Sequence, residues 1–291
     1  MRTSLFEKAF HLAIMAVLGL IALLCLYPFL YTLTISLSTA AEVTRPGLHL
    51  FPHEISILSY RMVLTNPDIL TGYFNTILRT ILGTTITVVG CSIAAYPLAR
   101  KEMPFRSLIT FLIVFTMLFN GGMVPNYLLI QKLGLLNTIF ALVIPTALSA
   151  FNIIIIKNFF QALPESLVES ARIDGAGEWR ILFQIYMPLS KPVLATVALW
   201  SSVYHWNAWF DALLYITDDS KQVLQTFLQR IVVENSTQLM ELGIADTSVM
   251  QFAPETIKAA TIIVTILPII CVYPFIQKYF VKGVMLGGVK E

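Results

Sequence analysis

Charge is what this 291-residue chain has least of. Asp, Glu, Lys and Arg make up 12% of it, against 57% hydrophobic residues, where a soluble domain carries roughly 25% charge to cover its surface. The shortage excludes water as the solvent for much of the surface, and lipid takes its place. Net charge is +2 with no basic tail or acidic block, which gives no footing for nucleic acid. Cysteine is scarce too. Cys25, Cys91 and Cys271 are odd in number and lie inside apolar runs, so they read as small packing residues and not as a disulfide framework. Histidine offers no metal centre: His49 and His53 have Pro52 between them and no third ligand nearby, and His205 and Asp211 are poorly aligned on a helix. No Gly-x-x-x-x-Gly-Lys-Ser/Thr loop is present to cradle phosphates.

What is present is a series of long uncharged stretches. No charged residue lies between Lys8 and Glu42, Arg79 and Arg100, Arg106 and Lys132, Lys132 and Lys157, Lys191 and Asp211, or Lys258 and Lys278. Each stretch is close to the ~20 residues that cross a ~30 Å hydrocarbon core. The runs are continuous and do not alternate as barrel strands would. They predict an all-α membrane protein, a single domain over 1–291, with six transmembrane helices near 12–36, 74–98, 107–130, 138–158, 193–213 and 258–280. The first run is about twice the length of a signal-peptide core, which favours a retained helix.

With the N-terminus inside, the inner segments hold Arg2, Lys8, Arg100, Lys101, Arg106, Lys157, Arg172, Arg180, Lys191, Lys278, Lys282 and Lys290. The outer ones hold Arg45, Arg61, Arg79, Lys132, Lys221, Arg230 and Lys258. Twelve basic residues inside against seven outside fit the positive-inside rule with both termini cytoplasmic. Residues 37–73 and 214–257 then form the outer polar segments. Gly121, Gly122 and Pro125 interrupt the third run. They predict either an ordinary outer turn or a broken helix facing protein or a water-filled path.

The segment 159–192 is the largest inner piece. Pro164 suits the first position of a helix, and Glu165 favours its dipole. The helix runs to Asp174, where Gly175 can take the left-handed conformation that ends it. A second short helix follows from about Gly177, with Pro188 helping to end it. Small Ser170 and Ala171 permit close approach by another protein. From these residues alone, a plain connector between two spans fits equally well.

The stretch resembles the signature loop of binding-protein-dependent ABC importer permeases, whose pattern is Glu-Ala-Ala, three residues, Gly, nine residues, Ile-x-Leu-Pro. Here Glu169-Ser170-Ala171 precedes Gly175 by three residues, and Ile185-Tyr186-Met187-Pro188 follows after nine. Ser170 and Met187 depart from the pattern. Asn75-Thr76 and Ile173-Asp174-Gly175-Ala176 are similar to further family motifs. Trp206-Asn207 with Trp209 resembles the carbohydrate-uptake branch related to the maltose system's smaller membrane subunit. Asn120-Gly121-Gly122-Met123-Val124-Pro125 and Leu133-Gly134-Leu135-Leu136-Asn137-Thr138 resemble a narrower group associated with complex or acidic polysaccharide fragments.

The resemblance implies a type I ABC importer fold in a bacterial plasma membrane. It implies a second permease as heterodimer partner, a cytoplasmic ATPase dimer that holds ATP and Mg, and an extracytoplasmic solute-binding protein. This chain would hold no cofactor and would not be an enzyme. A coupling helix near 164–175 would dock on one ATPase through Glu169, Ala171, Asp174 and Gly175, with Glu165, Ser170 and Pro188 completing the motif.

A sugar path needs aromatic faces and hydrogen-bonding groups. Trp200, Tyr204, Asn207 and Asp211 fall on one face at helical spacing. An interfacial aromatic belt explains Trp200 and Tyr204 equally well, and it explains Trp209 and Tyr215 better. Asn75 and Asn152 serve either the path or helix packing. The alternative to an ATP-driven importer is a secondary transporter or channel, which usually carries acidic residues deep in its spans; the span centres here carry none.

Overall fold

The computed structural model describes residues 5–45, 47, 51–119, 121–233 and 254–288. His49, Asn120, the stretch 234–253 and the terminal Arg2 and Lys290 lie outside the described residues. All the regular elements among the described residues are helices.

Three described helices are long and apolar enough to cross a membrane: Phe10–Ser36 within α1 (Leu5–Ser36), Pro67–Ala99 (α4) and Pro254–Val272 within the last helix, α15 (Pro254–Gly288). They overlap the stretches expected to span at 12–36, 74–98 and 258–280. In α1 none of the apolar window is buried within the chain, so its surface is left for lipid or another subunit. Short helices α2 (Ala40–Val43) and α3 (Leu58–Thr65) lie between α1 and α4 in the chain, and α14 (Leu224–Val233) precedes the last helix among the described residues.

The spans expected at 107–130, 138–158 and 193–213 are interrupted, the first at the Gly121-Gly122 break read from the sequence and the other two where no break was expected. α5 (Arg106–Leu118) and α6 (Met123–Lys132) are separated around Gly122, whose φ of +89° favours glycine. α7 (Ile139–Val143) passes through a 3-10 turn at Ile144–Thr146 and then turns 53° into α8 (Ala150–Gln161). Pro145 lacks the N–H a continuous helix needs there. α12 (Lys191–Asn207) stops when Ala208 becomes extended (ψ 129°), and α13 (Phe210–Tyr215) begins separately. α5 with α6, α7 with α8, and Glu178–Leu189 with α12 are each long and apolar enough to cross when taken as one bent span.

The chain forms two compact units. One contains residues up to Pro67 with Leu228–Leu267. Its polar ties include Ser59 Oγ to Thr256 Oγ1 at 2.9 Å, and Ser36 Oγ to Tyr60 Oη at 2.7 Å. The buried Glu42 accepts the His53 backbone N–H at 2.6 Å, which holds its carboxyl below the usual carboxylate range. The other unit contains Asp68–Phe227 with the chain from Pro268 on. Its main core joins α4 (Cys91, Ala95, Leu98), α8 (Ile153, Ile156, Phe160), the segment after α8 (Ile181, Leu182, Tyr186) and α12 (Val197). Phe160, Tyr186 and Tyr96 meet edge to face, with centroids 5.0–5.1 Å apart. A smaller core joins Ile130, Ala141, Leu142, Ala212 and Tyr215.

Candidate functional site

Between α8 and α12 the chain forms a helical hairpin. α9 (Glu165–Ile173) starts one residue later than expected: Pro164, with ψ 129°, is the residue before the first helical one. Its end follows from Gly175, at φ +77°. That conformation lets the Gly175 N–H reach the Arg172 carbonyl at 3.0 Å and the Ala176 N–H reach the Ala171 carbonyl at 2.9 Å, a paired closure that favours glycine. α10 (Glu178–Ile181) follows.

Pro188 does not end this second helix as expected. A π-helical turn at Leu182–Tyr186 precedes α11 (Met187–Leu189), and the Met187 N–H bonds five residues back to the Leu182 carbonyl. Pro188 has no N–H to offer Gln184 and crowds its carbonyl, and the wider turn makes room. The stop comes at Ser190, and Pro192 opens α12.

α9 is held along the face that carries Glu165, Val168 and Arg172, and exposed on the other. Val168 is buried in the main core. Lys101 Nζ pairs with Glu165 at 2.9 Å and keeps its carboxyl below the ordinary range. Arg172 pairs with Glu178 at 2.9 Å and with Glu102 at 3.6 Å. Tyr96 Oη donates to the Glu178 carboxylate, and Arg100 donates to Tyr96 Oη at 3.1 Å. Water screens each exposed pair, yet together they fix the hairpin against the end of α4. Glu169, Ser170, Asp174 and Gly175 are exposed, and Ala171 is half-buried. Beside them stand two large apolar side chains that a lone soluble surface would hide: Ile173 at 86% exposure and Trp179 at 64%.

A second feature lies where α7 breaks from α8. A hollow of about 430 Å³ is lined by Thr87 of α4, by Thr146, Leu148, Ser149, Phe151 and Asn152 at the break, and by Trp200, Ser201, Tyr204 and His205 of α12. Phe151 and Trp200 rings lie 5.5 Å apart. The expected path residues Asn152, Trp200 and Tyr204 thus come together. Tyr204 also borders a neighbouring hollow of about 460 Å³ with Asn207 and Asp211. The single helical face expected for Trp200, Tyr204, Asn207 and Asp211 ends at Asn207, because Asp211 belongs to α13. Asn75 is not in either hollow. Its amide donates to the carbonyls of Ser220 and Gln222 at 3.0 and 2.9 Å, which ties α4 to the segment that follows Asp218.

Sequence reasoning grouped Arg79 with the outer charges and missed its role. It is fully buried within α4. Its guanidinium pairs with Asp211 and donates to the carbonyls of Ala208 at 3.0 Å and Leu142 at 3.5 Å. One side chain therefore ties α4 to the end of α12, to α13 and to α7. The available signal was two opposite charges in otherwise apolar stretches, since charges in membrane segments pair with one another.

Residues 69–286 match the model of the family described as binding-protein-dependent transport system inner membrane component. The chain belongs to this family. The permease is 40% identical over 285 residues to the polygalacturonan/rhamnogalacturonan transport system permease protein YtcP of Bacillus subtilis (strain 168), covering 98% of this chain and 99% of that one. It is 42% identical over 286 residues to Protein LplC of the same organism, covering 97% and 95%. Its fold is similar to a chain in the crystal structure of a bacterial ABC transporter involved in the import of the acidic polysaccharide alginate, with a TM-score of 0.88, 35% identity, and coverage of 96% and 99%. The permease is thus a multi-pass membrane protein of the ABC-importer kind, and YtcP is by name a transport system permease protein.

Proposed function

We propose that this chain is one of two membrane subunits of an ATP-driven importer of oligosaccharides, with acidic polysaccharide fragments as the preferred class. The observation that carries the reading is the glycine-closed helix α9. One face is fastened beside the end of α4, while the exposed face presents Ile173 and the Glu169-Ser170-Ala171 motif to a partner. A rigid helix of this kind can carry the closing motion of two ATPases into a membrane bundle as a rigid body.

On this reading the chain is a single six-span domain with both termini cytoplasmic in a bacterial inner membrane. A second permease completes the path, and an outer binding protein delivers the sugar. ATP and Mg are held by the ATPase dimer. Glu165, Glu169, Ser170, Ala171, Asp174 and Gly175 form or shape the docking helix, and Pro188 sets the bend behind it. The names of YtcP and the alginate importer support the acidic sugar class. The secondary-carrier reading loses ground because Asp211, which lines the hollow beside Tyr204 and Asn207, is engaged by Arg79.

The test is uptake of a labelled galacturonate trisaccharide by proteoliposomes that hold the complete importer. Uptake should require internal ATP and survive ionophores that dissipate proton and sodium gradients. Uptake that ionophores stop and ATP removal does not would overturn the proposal.

A further inference from the structure

Threonine in a helix commonly returns its hydroxyl to the carbonyl four residues back. Thr196, Thr261 and Thr265 do so at 3.0, 2.8 and 2.7 Å. Thr87 does not. It is 2% exposed, lines the hollow at the α7–α8 break, and its Oγ1 has no partner among the described residues. His205 is 1% exposed, lines the same hollow, and its Nδ1 has no partner among the described residues. Buried polar groups are normally paired, and exceptions need an explanation. Here two fall in one hollow, beside a helix break of the kind tolerated at membrane depth only against protein or a water-filled space.

The imidazole is also fixed in place. A Cβ on Gly83 would lie 2.3 Å from His205 Nε2, so the glycine admits the ring edge and sets where Nδ1 points. The aromatic rings of Phe151, Trp200 and Tyr204 supply apolar faces around the pair. Among the described residues, none that lines this hollow is Asp, Glu, Lys or Arg. Arg79, the cation within α4, is fully buried and engaged by Asp211 and two backbone carbonyls. A carboxylate here would find no counter-charge, whereas a hydroxyl can both donate and accept.

We infer that Thr87 and His205 form a hydroxyl-recognising pair, and that this chain's hollow holds the uncharged, hydroxyl-bearing face of a sugar ring, not its carboxylate. The inference rests on the oligosaccharide-importer reading. It adds that selection for acidic groups is made by other parts of the assembly.

The test measures equilibrium binding to the purified complex of both permeases and the ATPase dimer. The binding protein is left out so that its affinity cannot mask the membrane site. The probes are labelled trigalacturonate and its carboxyl-reduced counterpart, galactotriose. Thr87→Val and His205→Leu should each raise Kd about tenfold for both probes alike, the size of one lost hydrogen bond. Thr87→Ser and His205→Asn, which keep a polar atom, should stay within about twofold of wild type. Thr84→Val is the control, because its hydroxyl is likewise unpartnered but does not line the hollow. Unchanged Kd in both Thr87→Val and His205→Leu, a loss confined to trigalacturonate, or no binding by the wild-type complex would each overturn the inference. ATP-driven uptake by the same preparation in proteoliposomes would still leave the importer reading standing, and its absence would remove both.

Discussion

Replacement of Gly175 by proline is expected to abolish uptake while the protein still reaches the membrane at its normal level. Proline fixes φ near −65°, and Gly175 sits at +77°. Proline would also delete the N–H that closes on the Arg172 carbonyl at 3.0 Å. The end of α9 would then open, and the chain leading to α10 would leave in a different direction. No apolar span is altered, so insertion is spared. Gly175→Ala should give a graded result, since an alanine in the left-handed region costs roughly 1–2 kcal/mol and keeps its N–H. Glu169→Lys should match the proline variant in uptake for another reason. Glu169 is exposed and takes part in none of the hairpin's ion pairs, so reversing its charge leaves α9 folded and acts on the docking surface. Uptake in vesicles, normalised to the amount of protein inserted, checks both. Normal uptake by Gly175→Pro and Glu169→Lys would remove the coupling role of this helix.

Arg79→Ala should cost about 3–5 kcal/mol of stability, the range for removing one partner of a buried ion pair. Asp211 would be left without its guanidinium, and the Ala208 and Leu142 carbonyls would lose a donor. Arg79→Lys should restore little of this, because an ammonium cannot reproduce the fork that serves three acceptors on different helices. Thermal unfolding of the detergent-purified importer complex reads the loss. The double variant Arg79→Ala, Asp211→Ala should be less unstable than the sum of the two single changes, as expected for directly coupled partners. Additive losses would mean that the two residues act independently.

The parts of this protein that were legible in the sequence are those set by local composition. Long gaps between charges located α1, α4 and α15, because a chain in lipid cannot leave a charge unpaired in mid-span. Pro164, Glu165 and Gly175 marked the limits of α9 to within one residue, because caps and left-handed turns are properties of a few neighbouring residues. The break after Asn207 was not legible. Ala208 and Trp209 include no glycine or proline. Their departure from the helix is supported from a distance, by Arg79 taking the Ala208 carbonyl and Thr226 donating to that of Trp209 at 3.4 Å. Pro188 misled for a related reason: a proline can end a helix or widen it, and packing decided for the π-helical turn. Thr87 carried no signal, being an ordinary residue in an apolar run, and His205 was weighed only against Asp211; only the fold brings Thr87 and His205 to the same hollow.

The most direct measurement is contact between α9 and the ATPase. In a background without other reactive cysteines, Ile173→Cys should be linked to the ATPase subunit by a short bifunctional thiol reagent in intact membranes, with a yield that changes when ATP is bound. The same cysteine should resist a membrane-impermeant reagent applied from the outer face. Labelling from outside, together with no link to the ATPase in any nucleotide state, would contradict the account.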